Sequence, residues 1–370
     1  MGITIGVARE TAAGERRTAL TPETCRKLVA AGVRVRVEAG VGAGAYFADA
    51  AYAEAGGEVV GTAVDAWRDA AVVLCVQPPE AAALHALAPG TVVIGLLQPE
   101  ADPARGAAIV AQGLTAFPLE RLPRTTRAQA MDVLSSQAGM AGYKAVLIGA
   151  QLAPRFFPML TTAAGTIRPS RVLVLGAGVA GLQAIATARR LGAQVEGFDV
   201  RPETREQIES LGARFLDLGV HAAGEGGYAR ALTEVERAEQ QRRLSAHLTS
   251  IDVVICTAAV PGRRAPTLLT RAMVAGMRPG GVIVDLAAET GGNCELTVPG
   301  ETIEQAGVTI AGPLGLASLG ATHASEMYAR NVLNFVQLLL EDGALALDWS
   351  DALLSGTVWP PRAAAAPIGD

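Results

Sequence analysis

Hydrophobic positions in the first third of the chain form short apolar runs that alternate with stretches of helical spacing. The segment Val33–Val37 reads Val-Arg-Val-Arg-Val, the period of two expected of a strand with one solvent-exposed face. Thr21 and Pro22 supply an N-cap and a first-turn proline for a helix that ends before Gly32. Strands are predicted at Ile3–Ala8, Val33–Val37, Ala71–Val76, Thr91–Leu96 and Leu114–Phe117. Strands that alternate with helices indicate a parallel sheet with helical crossovers.

A second series of the same kind follows a long helical stretch at Arg127–Gln151. Its strands are predicted at Arg171–Leu175, Gln194–Phe198, Asp252–Cys256, Val282–Asp285 and Val308–Ala311. A final helix, about Ala324–Leu340, is apolar on one face and is predicted to return to the first domain.

The predicted fold class is therefore α/β, with two Rossmann-like domains whose parallel sheets are flanked by helices and which have a cleft between them. The first domain spans residues 1–126 and is completed by the C-terminal helix at about 320–360. A connecting helix at 127–152 leads to the second domain at 153–319, and the Ala- and Pro-rich tail at 361–370 is predicted to be disordered.

Composition narrows the class of protein. The chain has 370 residues, 50% of them hydrophobic, which is enough for two cores. A net charge of −5 without a basic stripe argues against a nucleic-acid partner. The four cysteines are scattered and the four histidines lack metal-ligand spacing, so we expect neither a disulfide scaffold nor a metal site, and a reduced, cytosolic setting. The apolar stretch Val172–Ala188 contains a glycine turn, which favours a buried strand and helix over a membrane span, and no signal peptide is indicated.

The strand at Arg171–Leu175 leads directly into Gly176-Ala-Gly-Val-Ala-Gly181 and then into a helix, which is the context that a dinucleotide-binding turn requires. Gly176 allows the tight turn, Gly178 lets a pyrophosphate approach the backbone, and Gly181 lets the helix pack close to the strand. Val179 and Ala180 open the helix, whose free N–H groups and dipole favour phosphate. The structural alternative is a glycine-rich turn in an ordinary parallel sheet.

Asp199 follows the next strand, about 20 residues beyond the glycines, where an acid hydrogen-bonds the ribose hydroxyls of NAD and repels the 2′-phosphate of NADP. Arg201 complicates this preference, because a nearby arginine can accept that phosphate; we expect it to lie over the adenosine, and the alternative is a solvated charge. Val200 lies between them. Thr257, Ala258 and Ala259 follow another strand end and are also predicted to line the nucleotide pocket.

Several segments carry a family resemblance. They include Arg17-Thr-Ala-Leu-Thr-Pro22, Pro123-Arg-Thr-Thr-Arg-Ala-Gln-Ala-Met-Asp-Val-Leu-Ser135, the long connection Gly219–His247, and Gly291-Gly-Asn-Cys-Glu295. The chain resembles the NAD(H)-binding component of proton-translocating transhydrogenases, which are relatives of alanine dehydrogenase.

The resemblance implies a set of cofactor contacts. Arg124, Gln129, Asp132 and Ser135 would position the nicotinamide, with Ala130 and Met131 beside them. From spacing alone this segment reads as a helix N-terminus with surface charges. The connection Gly219–His247 would contain a mobile loop that closes over bound nucleotide, with contacts at Gly227, Tyr228 and Gln240; its structural alternative is a solvated loop.

The chain departs from alanine dehydrogenases where their catalytic groups would stand. Gln77 aligns with the lysine that they use on the substrate carboxylate, and no histidine lies near Leu97–Gln98, where their general acid/base would fall. Glu289 stands at the site of their catalytic aspartate.

The resemblance implies direct hydride transfer between NAD(H) on this chain and NADP(H) on a partner subunit, coupled to proton movement by membrane subunits. It also implies a homodimer without membrane insertion of its own, held at the cytoplasmic face of the inner membrane through its partners. The alternatives are an NAD-dependent amino-acid dehydrogenase, a lysine-pathway reductase of the same superfamily and a non-catalytic NAD sensor.

Overall fold

The computed structural model describes residues 2–222, 230, 232–259 and 264–361. The chain forms two compact units: Met1–Gln137 together with Ser318–Asp370, and Ala138–Ala317. No helix within the described ranges is long and apolar enough to cross a membrane.

The first unit is built on a six-stranded sheet. Its strands are β1 (Thr4–Val7), β2 (Arg34–Glu38), β3 (Glu58–Val60), β4 (Val72–Leu74), β5 (Val92–Gly95) and β6 (Thr115–Pro118). The spatial order is β3-β2-β1-β4-β5-β6, and every neighbouring pair is parallel. The helices that connect these strands are α1 (Pro22–Ala30), α2 (Asp49–Glu54), α3 (Ala63–Trp67), α4 (Ala81–Leu84) and α5 (Pro103–Ala111). Helix α6 (Val133–Leu152) starts in this unit and continues into the second, which begins at Ala138.

The second unit carries a seven-stranded sheet and a small hairpin. The hairpin is β7 (Leu160–Thr162) with β8 (Gly165–Ile167). The sheet strands are β9 (Arg171–Leu175), β10 (Gln194–Phe198), β11 (Arg214–Phe215), β12 (Val253–Cys256), β13 (Val282–Asp285), β14 (Thr302–Gln305) and β15 (Val308–Ala311), in the order β11-β10-β9-β12-β13-β15-β14. The helices are α7 (Val179–Arg190), α8 (Thr204–Ser210), α9 (Glu234–Leu248) and α10 (Arg271–Ala275).

The C-terminal segment completes the first unit with α11 (Ala321–Gln337), β16 (Leu340–Glu341), β17 (Ala344–Leu345) and α12 (Ala352–Thr357). Helix α11 presents a fully buried face. Its Phe335 ring meets Phe117 of β6 edge to face at 5.2 Å, and the Tyr328 hydroxyl donates to the Cys75 carbonyl at 2.9 Å. The core of the sheet therefore includes residues from both ends of the sequence.

The predicted fold class of two α/β domains with parallel-strand sheets is confirmed, and each predicted strand is present within two residues of its predicted bounds. One strand differs in direction: β14 pairs antiparallel with β15 at the edge of the second sheet. The turn between them is Ala306-Gly307, and both residues have positive φ (53° and 74°), as a two-residue hairpin requires. Alanine rarely adopts this conformation, so no local pattern predicted the turn.

The long helix was predicted to start near Arg127, which is too early. Residues Thr126–Met131 form a 3₁₀ helix, and α6 begins only at Val133. Asp132 separates the two with φ −74° and ψ 88°, which is not helical. Its carboxylate accepts from the Ser135 N–H at 2.9 Å, so Asp132 caps α6 and fixes the start of the helix.

Candidate functional site

The glycine turn lies at the centre of the second sheet, where the strand order reverses between β9 and β12. Ligands of open α/β sheets bind at such a switch point. Gly176 follows β9 with φ +98°, a conformation that side chains disfavour. A Cβ there would lie 2.8 Å from the Thr257 hydroxyl and 3.0 Å from the Ala258 nitrogen, so the turn packs directly against the end of β12.

The other two glycines have opposite surroundings. A Cβ on Gly181 would lie 1.9 Å from the Gly176 carbonyl oxygen, so only glycine allows α7 to approach the turn this closely. A Cβ on Gly178 would meet no atom of the described residues within 4 Å. Gly178 precedes α7, and no described side chain caps that helix. An uncapped helix start at Val179 and Ala180, beside open space at Gly178, is suited to a phosphate group.

Asp199 directly follows β10, and its carboxylate already accepts four hydrogen bonds. Its oxygens accept from the Ala177 N–H at 2.8 Å, from the Arg201 N–H at 2.9 Å, and from the Arg201 guanidinium at 2.9 and 2.8 Å. Burial raises the pKa of Asp199, but the hydrogen bonds from Arg201 and Ala177 outweigh it, and the pKa lies below its usual value. A carboxylate has about four lone-pair sites. Any ribose hydroxyl would therefore compete with Arg201 for Asp199.

The Arg201 guanidinium forms a two-pronged ion pair with Asp199, and its expected position over the adenosine stays a prediction. The Val200 carbonyl between them accepts from the Ala222 N–H at 2.7 Å. These bonds hold the end of β10 beside the glycine turn, because Ala177 belongs to that turn.

The segment after β12 completes this group of residues. The Thr257 hydroxyl donates to the Gly176 carbonyl at 2.9 Å; next to it, Ala258 is partly exposed and Ala259 is exposed. The second unit thus brings together the glycine turn, residues 199–201 and residues 257–259.

Gln240 lies on α9, and its side chain is almost fully buried. Its amide Nε2 has no hydrogen-bond partner in the described part of the chain. A buried donor without a partner costs free energy, so this atom is suited to a ligand or water. Gly227 and Tyr228, the other two residues predicted for this region, lie outside the described residues.

The predicted nicotinamide-side residues lie together in the first unit, around the 3₁₀ helix Thr126–Met131. Gln129 and Ala130 are exposed, Met131 is buried, and Arg124 lies just before the helix. Asp132 accepts from both the N–H and the hydroxyl of Ser135. Asp132 and Ser135 thus have a structural function as a helix cap.

Two asparagines of α11 hold this 3₁₀ helix in place. The side-chain amides of Asn331 and Asn334 both donate to the Ala130 carbonyl, at 2.8 and 2.9 Å. Sequence reasoning missed these residues, because they follow Ala130 by about 200 positions and form no motif with it.

A buried polar cluster in the first unit surrounds Arg17. The Arg17 guanidinium pairs with Glu15, and the two side chains are only 5% and 3% exposed. The Gln77 amide also donates to Glu15, at 2.9 Å, and the Gln137 amide oxygen accepts from Arg17 at 2.9 Å. Burial raises the pKa of Glu15, but bonding to Arg17 prevails and lowers it to about 2. The positive charge of Arg17 is thus neutralised within the chain.

Glu10 is a second carboxylate of this cluster, and it accepts from the N–H groups of Val76 and Gln77 at 2.6 and 3.0 Å. Burial raises its pKa from 4.5 to about 7, although both hydrogen bonds act in the opposite direction. Among the described residues, no group of three or more His, Cys, Asp or Glu side chains could hold a metal ion.

The reversal of strand order, the glycine turn and the acid after the next strand define the second unit as a dinucleotide-binding Rossmann domain. Comparison with known families gives the same class. The family described as "Alanine dehydrogenase/PNT, N-terminal domain" matches residues 6–141, and "Alanine dehydrogenase/PNT, C-terminal domain" matches residues 145–361. The chain belongs to this family.

Relatives separate the two branches of the family. Over 364 residues the chain is 43% identical to the Rhodospirillum rubrum protein named as the first part of NAD(P) transhydrogenase subunit alpha, covering 95% of each chain. It is 44% identical to a transhydrogenase of Sinorhizobium meliloti with solved structure, at a TM-score of 0.87, covering 96% of this chain and 97% of that one. Identity to alanine dehydrogenase of Mycobacterium tuberculosis is 31% over 304 residues, covering 80% of this chain and 75% of that protein.

Substitution of Gly181 and of Gly178 distinguishes a glycine needed for helix packing from one that faces open space. Gly181→Ala should destabilise the second unit by at least about 2 kcal/mol, because its Cβ overlaps a backbone carbonyl that cannot move freely. Gly178→Ala, the matched control, should leave the midpoint of urea unfolding unchanged, since its Cβ meets open space. Equal effects of the two changes on that midpoint would contradict the packing described here.

The raised pKa of Glu10 predicts a pH dependence of stability. Above pH 4.5 the unfolded chain loses this proton while the folded chain keeps it up to about pH 7, so the unfolded state binds fewer protons and stability falls across this window. Urea unfolding between these two pH values should show a smaller decline for Glu10→Gln than for the wild type. The control Glu54→Gln changes an exposed carboxylate of α2 and should keep the wild-type decline. A wild-type decline in Glu10→Gln would exclude Glu10 as its source.

Proposed function

We propose that this chain is the NAD(H)-binding component of a proton-translocating NAD(P) transhydrogenase. In this proposal it exchanges hydride directly between NAD(H) on its second unit and NADP(H) on a partner subunit. Membrane subunits couple the exchange to proton movement, and the chain acts as a homodimer at the cytoplasmic face of the membrane. The name of the Rhodospirillum rubrum relative, which designates one portion of a subunit alpha, supports the existence of further subunits.

The residues of the second unit fit a dinucleotide. The N–H groups at the start of α7 would hold the pyrophosphate in the space in front of Gly178. Asp199 and Val200 would contact the adenosine ribose, with Arg201 shifting its pairing, and residues 257–259 would line the opposite wall. Bound NADH supplies the hydride. The chain's own task is to orient the nicotinamide and exclude water, which requires no nucleophile or general base.

The observation that favours transhydrogenation over amino-acid oxidation is that the charge of Arg17 is already neutralised. Recognition of a substrate carboxylate needs a cation that is free to pair with it. In this chain the positive charge of Arg17 is paired with Glu15. The side chain at the lysine position of alanine dehydrogenases is Gln77, whose amide also donates to Glu15. The carboxylate of an amino-acid substrate would meet the carboxyl groups of Glu15 and Glu10 there, with the Arg17 charge already paired.

The test is hydride exchange. The purified chain, mixed with an NADP(H)-binding partner subunit, should oxidise NADH and reduce NADP⁺. The products are separated by chromatography, because NADH and NADPH share the same absorbance band. The chain alone with alanine and NAD⁺ should form no NADH. NADH formation from alanine would overturn the proposal in favour of an amino-acid dehydrogenase. NADH binding without exchange would favour an NAD sensor.

Asp199 predicts the nucleotide preference. NADH should bind at least about tenfold more tightly than NADPH, because the carboxylate repels a 2′-phosphate and already neutralises Arg201. Calorimetry of both nucleotides measures the ratio. Asp199→Asn should narrow this affinity ratio, because it removes the carboxylate that repels a 2′-phosphate. Equal affinities in the wild type would show that Arg201 governs the pocket.

Substitution of Gln129 should change the rate of hydride exchange much more than the affinity for NADH. Gln129→Asn shortens an exposed amide by one methylene, and misplacing a reacting group by about 1 Å can cost on the order of 100-fold in rate. Stopped-flow hydride exchange with the partner subunit should therefore slow steeply, while the Kd for NADH changes by only a few-fold. Gln151→Asn, the same change at an exposed position near the end of α6, should alter neither.

Two results would contradict this division of roles. A normal exchange rate in Gln129→Asn would place Gln129 away from the nicotinamide. Complete loss of NADH binding would make it a structural anchor.

A further inference from the structure

Asn293 binds the pocket-lining residue Ala258 at both of its backbone groups. The Asn293 Oδ1 accepts from the Ala258 N–H at 3.0 Å, and its Nδ2 donates to the Ala258 carbonyl at 2.8 Å. The second Nδ2 hydrogen reaches the Pro266 carbonyl, also at 2.8 Å. Only one orientation of the amide satisfies all three partners, so the side chain is fixed without ambiguity.

The backbone of Asn293 is itself fixed by a hydrogen bond to Asp285. Asn293 is completely buried, and its N–H donates to the Asp285 carboxylate at 2.7 Å. Asp285 ends β13, is also completely buried, and accepts from the Cys294 N–H and the Thr297 hydroxyl as well. The carboxylate thus orders the backbone turn that presents Asn293.

These hydrogen bonds also connect Asn293 to the glycine turn. Ala258 is adjacent to Thr257, whose hydroxyl holds the Gly176 carbonyl, and the Ala258 nitrogen lies 3.0 Å from where a Gly176 Cβ would stand. A continuous chain of hydrogen bonds therefore crosses the carboxyl ends of three neighbouring strands, from β13 through β12 to β9.

From this geometry we infer that Asn293 is a positioning residue of the nucleotide site: it sets the position of residues 257–259 against the glycine turn before nucleotide arrives. The inference rests on the proposed binding of NAD(H) to the second unit. Asn293 does not need to touch the nucleotide. It restricts the peptide groups on both sides of Ala258, so that binding does not have to order them, which favours affinity.

The experiment compares Asn293→Ala with Thr297→Val. Asn293→Ala removes all three side-chain bonds and should raise the Kd for NADH by at least about tenfold, measured by calorimetry. Thr297→Val removes one bond to the same Asp285 carboxylate and leaves the Asn293–Ala258 contacts intact. It should lower the thermal midpoint while keeping the Kd within about twofold of the wild type. A residue with only a structural role would lower the midpoint in both variants without changing the Kd, and that result would overturn the inference.

A measurement on the wild type keeps the inference testable if Asn293→Ala does not fold. Amide exchange of Ala258 should be slow in the nucleotide-free protein, because Asn293 already binds this N–H. Exchange as fast as that of an exposed loop would overturn the inference.

Failure of the two proposals can be told apart. A wild type that binds NADH but exchanges no hydride with its partner contradicts the proposed function and leaves the Asn293 inference standing. A wild type that binds no NADH overturns both.

Discussion

The approach of Gly181 to the Gly176 carbonyl is the contact on which the candidate site depends. At a separation of 1.9 Å for a hypothetical Cβ, no other residue would fit, and α7 would have to move away from β9. Helix α7 starts directly after Gly178, where a Cβ would meet no described atom within 4 Å and where no described side chain caps the helix. The reversal of strand order beside β9 then brings the ends of β10 and β12 to the same place.

Internal pairing of charges is the second constraint, and it acts in both units. Asp199 is paired with Arg201 and Glu15 with Arg17, so neither arginine presents an uncompensated charge. Breaking either pair would leave a buried charge, which is strongly unfavourable. In the second unit the pairing weakens the attraction of Arg201 for a 2′-phosphate. In the first unit it occupies the Arg17 guanidinium, which supports the proposed transhydrogenase function over an amino-acid dehydrogenase.

The strands around the glycine turn could be predicted, because apolar runs and turn residues are local signals, whereas their order in the sheet came from the structure. The hairpin at Ala306-Gly307 could not be predicted, since alanine seldom adopts a positive φ and the local pattern favours no turn there. The predicted start of α6 was also too early. The 3₁₀ helix and α6 have similar sequence patterns, and the boundary between them is set by the Asp132 side chain, which caps α6. Asn293 and the asparagines of α11 act on backbone groups distant in sequence, and no local pattern marks such partners.

The sequence by itself determined the fold class, the glycine spacing and the strand ends at which Asp199 and Thr257 stand, because these follow from backbone conformation and from the period of buried side chains. Only the tertiary structure decided what each polar group is bonded to. It placed Arg201 on Asp199 and joined Gln77 to Glu15 across 62 positions. It also fixed Ala258 with Asn293, 35 positions away. Hydrogen bonds depend on distance and direction in space, and sequence separation carries almost no information about either.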